Sequence, residues 1–274
     1  MAAKAGVVIA IDKPLQWTSF QVVNRLKWHI RRTFGLKKFK IGHAGTLDPL
    51  ATGLLLVCVG SATKRIEELQ SGIKEYSGTM VLGATTPCFD LEQAIDHYYP
   101  TEQITPESIE SARPLFIGDI EQVPPMFSAV KVDGQRAYVS ARDGSPMEIA
   151  PKKITIYDFE LGSLIPSIPT PSVPSPSVQS PSTVPSPSRE LYRNPQGSVP
   201  EGLLQVDFHV TCSKGTYIRS LARDFGIALD SGAFLSSLRR QRIGEYTLDD
   251  AITIDDIESL IVPTNPIFQA IGDL

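Results

Sequence analysis

Cysteine is scarce in this chain: Cys58, Cys88 and Cys212 are all it has in 274 residues. They form no CxxC pair and leave one odd. That argues against a disulfide scaffold and for a reducing compartment, the cytoplasm. Nor do they fall at metal-ligand spacing with His29, His97 or His209, so no metal is expected. Long apolar runs are missing too. None approaches the ~20 residues of a membrane helix, and the start, Met1-Ala-Ala-Lys-Ala-Gly, lacks the apolar block of a secretory signal. No membrane attachment is expected. What remains is ordinary for a globular protein: 42% hydrophobic and 20% charged residues, too apolar for disorder and enough for a sizeable core.

Acid is absent from one long stretch. Between Lys13 and Leu47 there is none, while Lys13, Arg25, Lys27, Arg31, Arg32, Lys37, Lys38 and Lys40 all fall there. A second basic group comes late: Lys214, Arg219, Arg223, Arg239, Arg240 and Arg242. Acids gather afterwards at Asp249, Asp250, Asp255, Asp256 and Glu258, and the formal net charge is -4. A basic face on an acidic protein suits a polyanion, although on charge alone a solvated helix face is an equal reading.

Residues 163–200 stand apart. Ser163 to Ser188 is mostly Pro, Ser and Thr, carries no charge and holds eight of the 22 prolines. Such a tract supplies neither ladder donors nor an apolar face, and reads as an extended, disordered insertion. On either side the chain alternates, in Lys153-Ile-Thr-Ile-Tyr-Asp-Phe-Glu-Leu and in Leu204-Gln-Val-Asp-Phe-His-Val, so the flanks read as neighbouring strands of one sheet. Residues 1–250 are then one domain interrupted by a loop insertion, and 251–274 a short tail.

Strands and helices interleave elsewhere. Val7–Ile11, Leu54–Val59 and Lys74–Leu82 read as strands. Thr18 or Ser19 caps a helix to about Phe34, with Val22, Val23, Leu26, Ile30 and Phe34 on one stripe. Ser61 is expected to cap a short helix to Leu69, Thr105-Pro106-Glu107 to open another, and Thr216 to about Leu229 to form a third. Phe127–Val132 reads as a strand ending at an Asp133-Gly134 turn. The expected class is α+β, with a mixed, mainly antiparallel sheet flanked by helices and loops.

Gly42-His-Ala-Gly-Thr-Leu-Asp-Pro-Leu-Ala-Thr-Gly53 is the most informative stretch. Three glycines and a proline make it an irregular loop between a basic helix and an apolar strand. It has neither the Gly-Lys-Ser/Thr ending of a phosphate loop nor the dinucleotide fingerprint. Its single acid, Asp48, is placed to act as nucleophile or base. Taken alone, an Asp-Pro pair in such a loop more often caps a turn.

The motifs, taken together, tip that balance. Gly42-His-Ala-Gly-Thr-Leu-Asp-Pro-Leu-Ala-Thr-Gly-Leu-Leu resembles the aspartate motif of the tRNA pseudouridine synthase B family, which makes pseudouridine 55 in the T-loop of tRNA. Further stretches match in family order: Asp12-Lys-Pro, Lys74-Glu-Tyr-Ser-Gly-Thr with Leu82-Gly and a Thr-rich stretch to Asp90, and Gly118-Asp-Ile-Glu-Gln-Val-Pro-Pro-Met-Phe-Ser-Ala-Val-Lys. Cys212-Ser-Lys-Gly-Thr-Tyr-Ile-Arg-Ser-Leu-Ala-Arg-Asp and Gly232-Ala-Phe-Leu-Ser-Ser-Leu-Arg-Arg complete the set. The likeness spans about residues 6–250 apart from the Pro/Ser tract. Two departures stand out: Cys88 and Gln93 alter the Thr-rich loop, and residues 251–274 are not expected to form the C-terminal PUA domain of many relatives.

The resemblance implies a pseudouridine synthase fold and an isomerase needing no cofactor. It breaks the bond from ribose C1′ to uracil N1, turns the base and joins C1′ to C5. The resemblance assigns the catalytic role to Asp48, with Arg219 as its guanidinium partner and Tyr76 stacking on the base. His43, Tyr217, Leu238, Lys13 and Lys214 are carried over as substrate-binding residues. The partner is tRNA through its T-loop, with no guide RNA, and a monomer is expected. A catalytically silent RNA-binding or tRNA-folding module on the same fold is the alternative, against which the presence of Asp48, Tyr76 and Arg219 weighs. An aspartate-dependent hydrolase would want a second carboxylate or a metal cluster, and the motifs show neither. The two basic groups are the expected phosphate contacts. Replacing Arg31, Arg32, Lys37 and Lys38 together is therefore expected to weaken tRNA binding and flatten its salt dependence in a filter-binding titration; an unchanged salt slope contradicts this.

Overall fold

The computed structural model describes residues 6–128, 130–132, 135–136, 148–166, 199, 202–272 and 274. The strands are β1 (Gly6–Lys13), β2 (Ile41–His43), β3 (Ala51–Gly60), β4 (Lys74–Leu82), β5 (Ala84–Thr85), β6 (His97–Tyr98) and β7 (Gly118–Gln122). They continue with β8 (Lys131–Val132), β9 (Gln135–Arg136), β10 (Lys152–Pro166), β11 (Leu204–Cys212), β12 (Ala233–Ile243) and β13 (Tyr246–Thr247). The helices are α1 (Ser19–Phe34), α2 (Ile66–Ser71), α3 (Pro106–Ala112), α4 (Ile218–Ala228), α5 (Ile257–Leu260) and α6 (Gln269–Gly272). The main sheet runs β1-β3-β12-β4-β11-β10-β7, with β2 added to β3 and β13 to β12. β1–β3, β2–β3, β7–β10 and β12–β13 are antiparallel and β3–β12 is parallel, so the α+β class with a mixed sheet holds.

The chain forms two compact units. The first is Met1–Ser77, His209–Gly215 and Leu238–Leu274. Its centre is β3, whose run Leu54-Leu-Leu-Val-Cys-Val59 is apolar on both faces because both are covered. Leu55, Val57 and Val59 pack with Ile9 and Ile11 against α1 residues Val22, Val23, Leu26 and Ile30. Leu54, Leu56 and Cys58 pack on the other side with Ala44, Ala62, Leu69 and Ile243. α1 starts at Thr18, whose side chain and that of Gln21 form a reciprocal capping box, and stops at Gly35 in the left-handed region. Residues 251–274 are no tail: Ile257, Ile261, Phe268 and Ile271 are buried in the α1 core, and His29 meets Ile261 O at 2.9 Å. The sequence there lacks a long periodic run, so its burial could not be read from pattern.

The second unit is Gly78–Phe208 and Thr216–Ser237. Phe116, Phe159, Phe208 and Phe225 meet edge to face, with ring centroids 5.5–6.5 Å apart, and form its aromatic core. β10 and β11 are neighbours, as the alternating flanks of the Pro/Ser tract required. β10 continues to Pro166, so the first residues assigned to the insertion belong to a strand. Most of the tract and the Asp133-Gly134 turn lie outside the described residues.

Two helix starts differ from expectation. Ser61 caps nothing: Gly60 (φ 66°, ψ -131°) makes the turn, a 3-10 segment covers Ser61–Arg65, and Thr63 Oγ1 donates to Gly60 O at 2.8 Å. α4 starts at Ile218, because Tyr217 is extended (φ -101°, ψ 109°); its N–H donates to Gln122 Oε1 at 2.8 Å. Ile261→Ala is expected to cost about 2–5 kcal/mol in urea unfolding; a loss under about 0.5 kcal/mol, the size of an ordinary surface substitution, would remove the C-terminal segment from the core.

Candidate active site

Asp48 is half-buried in the loop between β2 and β3 of the first unit. That loop is fastened along its length. Ser19, the first residue of α1, accepts from Leu47 N at 2.9 Å and donates to Leu47 O at 3.1 Å. Gln16 N donates to Pro49 O at 2.8 Å, and Ala51 N to Asp48 O at 3.1 Å. Two buried cations hold the carbonyls around the acid. Lys13, 0% exposed, donates to Trp17 O (2.6 Å), Pro14 O (3.0 Å) and Pro49 O (3.4 Å). Arg240, 1% exposed, reaches Leu54 O (2.7 Å), Gly45 O (3.1 Å) and Thr46 O (3.4 Å).

The electrostatics follow from this burial. Lys13 is pushed down to about 8 by burial; the Asp48 charge raises it and the Arg240 charge lowers it further. Tyr76, buried on β4, is held above its ordinary value by burial. The Arg240 charge and its hydrogen bond to the phenol pull the other way, and Asp48 pushes it up. His43 ends β2, and its ring is held below the ordinary value by burial and then by Arg240, with the Gly45 backbone opposing. Among the described residues its buried Nδ1 has no partner that meets hydrogen-bond geometry. Asp48, Tyr76, His43, Lys13 and Arg240 are thus electrically coupled within one unit. A carboxylate, a neutral phenol ring and a neutral imidazole are what a glycosidic rearrangement of a pyrimidine nucleoside can use.

Other residues of the motifs also belong to the first unit. Leu238 lies on β12 opposite Ala51, and its carbonyl accepts from Thr52 Oγ1 at 3.4 Å. Asp12 and Arg239, from two of the motifs, form a bidentate pair at 2.7 and 3.1 Å. Lys214 is exposed after β11. Lys74 is buried, donates to Gly72 O (2.6 Å) and Gln70 O (2.7 Å), and is lowered to about 8 by burial.

Arg219 is in the second unit, 5% exposed, near the start of α4. It donates to Phe127 O at 2.8 Å and Cys88 O at 3.0 Å, and its Nε lies 3.7 Å from Asp90 Oδ2. Asp90 is itself 5% exposed and accepts from Glu92 N at 2.9 Å. Cys88, the unusual residue of the Thr-rich loop, is buried with its thiol pushed up to about 12, first by burial and then by Asp90, which makes it inert. Tyr217 precedes α4 and is half-buried.

Burial overturns part of the phosphate-contact expectation. Lys13, Arg219 and Arg240 are inside the protein, and Arg239 and Arg242 are paired with Asp12 and Glu75. Of the first group, Arg31, Arg32, Lys37, Lys38 and Lys40 are exposed. Sequence reasoning gave Asp90 no site role and read Arg240 only as a phosphate contact. A buried charge looks the same as a surface charge in a string of letters.

The Lys13 charge has a measurable pH consequence. Its folded value near 8 lies below the ordinary 10.5 of the unfolded chain, so between those values the unfolded state binds more protons and the Lys13 contribution to stability rises with pH. The gap in unfolding free energy between the wild type and Lys13→Met is therefore expected to shift in favour of the wild type from pH 8 towards 10.5. Parallel stability curves for the two proteins contradict the buried ammonium.

Residues 31–170 match the family described as TruB family pseudouridylate synthase, N-terminal domain. Proteins named tRNA pseudouridine synthase B are similar along nearly the whole chain. The one from Phocaeicola vulgatus is 48% identical over 93% of this chain and 93% of its own length. Those from Flavobacterium johnsoniae (48%, over 91% and 93%) and Bacteroides fragilis (46%, over 92% and 92%) are comparable. Among solved structures, a chain of a Cbf5–Nop10–Gar1 complex superposes with a TM-score of 0.60 at 26% identity, covering 98% of this chain and 59% of that one. A chain from an H/ACA ribonucleoprotein bound to a substrate RNA shares the fold, with a TM-score of 0.57 at 24% identity over 97% and 58% of the two chains. The fold is that of the pseudouridine synthases, and the chain belongs to the TruB family.

Proposed function

We propose that the protein isomerises uridine 55 in the T-loop of tRNA to pseudouridine. The observation that carries this is the placing of Asp48: an acid on a loop whose backbone is gripped by two buried cations, electrically coupled to a buried tyrosine. In the reaction the C1′–N1 bond breaks, the base turns, C1′ joins C5, and the C5 proton leaves while N1 gains one, so atoms balance without a redox step. Asp48 acts at the sugar, either attacking C1′ or removing a ribose proton. Tyr76 offers its ring to the loose base, an interaction of about 1–3 kcal/mol in single-strand binders. Its phenol stays protonated, because burial holds its titration above the ordinary range. Arg219 carries over from the resemblance as the third catalytic residue.

Reaching the target means turning a base out of a folded loop, which costs a few kcal/mol and must be offset by contacts elsewhere. The exposed basic residues after α1 fit that need. His43, half-buried with its ring held below its ordinary value by burial and Arg240, fits the role of steadying the turned-out RNA. Bacterial relatives at 48% identity are named as tRNA enzymes, which supports tRNA as substrate; that it acts without a guide RNA is part of the proposal. We place the protein in the cytoplasm as a monomer, with residues 1–250 as the catalytic region. Among the described residues no helix is long and apolar enough to cross a membrane.

An unmodified tRNA transcript incubated with the wild-type protein is expected to gain pseudouridine at position 55, and with Asp48→Asn none. RNA binding without product in the wild type would leave the silent-module reading standing instead.

A further inference from the structure

Arg240 presents an unusual account of charge. It is 1% exposed, always protonated, and no carboxylate lies within ion-pair distance of it among the described residues. A buried cation without an acid partner is costly unless its donors are well placed. Here its Nε and both terminal nitrogens reach carbonyls, Leu54 O on one side of Asp48 in the chain and Gly45 O and Thr46 O on the other. The strand carrying it is pressed on the end of the same loop. β12 pairs Arg240 with Gly53, which sits at φ +98°, and a Cβ at Gly53 would come within 2.3 Å of Arg240 O. Gly45, at the other end, is at φ +100°. A planar fork with fixed donor directions matches this set of acceptors, and a lysine cannot.

We propose that Arg240 is a positioning residue for Asp48: its guanidinium locks the backbone on both sides of the acid, and its charge, with no carboxylate in ion-pair range among the described residues, supplies the positive field around Tyr76 and His43 beside it. Four neighbours register that field. After burial, the Arg240 charge is the next influence lowering Lys74 and His43 and opposing the rise of Tyr76, and it also lowers Lys13. A plain structural staple would need the hydrogen bonds but not the charge, and a neutral donor would serve. The inference rests on Asp48 being the reacting acid.

The test compares Arg240→Lys, Arg240→Gln and Asp48→Asn in the full chain, on tRNA transcript tritiated at uridine C5, with tritium release as the measure of turnover. Arg240→Lys keeps the charge but loses the fork. Its kcat is expected to fall about 100-fold, the scale for a misplaced reacting group, with KM and RNA affinity within about threefold. Arg240→Gln is expected to lose more, and His43 in ¹⁵N-histidine-labelled protein is expected to titrate at higher pH once the charge is gone. Wild-type kcat in Arg240→Lys overturns the clamp, as does a parallel fall of kcat and RNA affinity. An unmoved His43 titration in folded Arg240→Gln overturns the field, and if that variant does not fold, the kcat-against-KM split of Arg240→Lys decides. An active Asp48→Asn variant would instead overturn the assignment of the acid, which separates that failure from a failure of the clamp.

Discussion

Burying positive charge against backbone carbonyls is the constraint on which the first unit depends. Lys13, Lys74 and Arg240 each end in a set of main-chain oxygens, and none is spent on the surface. Loops rich in glycine carry many unpaired carbonyls and much conformational entropy. Buried ammonium and guanidinium groups satisfy those oxygens and hold the loop in one shape. The same charges raise the local potential, which disfavours protonating an imidazole. Holding the loop and setting the local field are therefore one arrangement.

That arrangement needs a rigid base, and β3 supplies it. With both faces covered, the strand cannot shift register without moving two apolar layers at once. One layer is completed by residues 257–271, so the end of the chain supports the strand that carries the loop. In the second unit a comparable logic applies to Arg219. Its guanidinium is fixed by two carbonyls and by Asp90, and the aromatic cluster around Phe225 anchors the helix from which it projects.

Local pattern was enough for much of the secondary structure. α1 could be bounded from Thr18 or Ser19 and the stripe ending at Phe34, because caps and helical periodicity are short-range chemistry. β4 could be bounded at both ends, and the strands beside the Pro/Ser tract could be paired by their alternation. The starts after Gly60 and before Ile218 could not, since each depends on the backbone conformation of one residue, Gly60 and the extended Tyr217.

The class of chemistry came from the resemblance of the Gly-Asp loop, the tyrosine strand and the arginine helix to the family's motifs, which are local and so survive in the string. The order of residues could not say which cations are inside. Arg31 and Arg240 are the same residue in similarly basic surroundings, yet one is exposed and the other sealed. Burial is set by strands far apart along the chain, β12 lying on β3 across nearly two hundred residues, and charge acquires its meaning only from the dielectric and the acceptors that such packing brings around it.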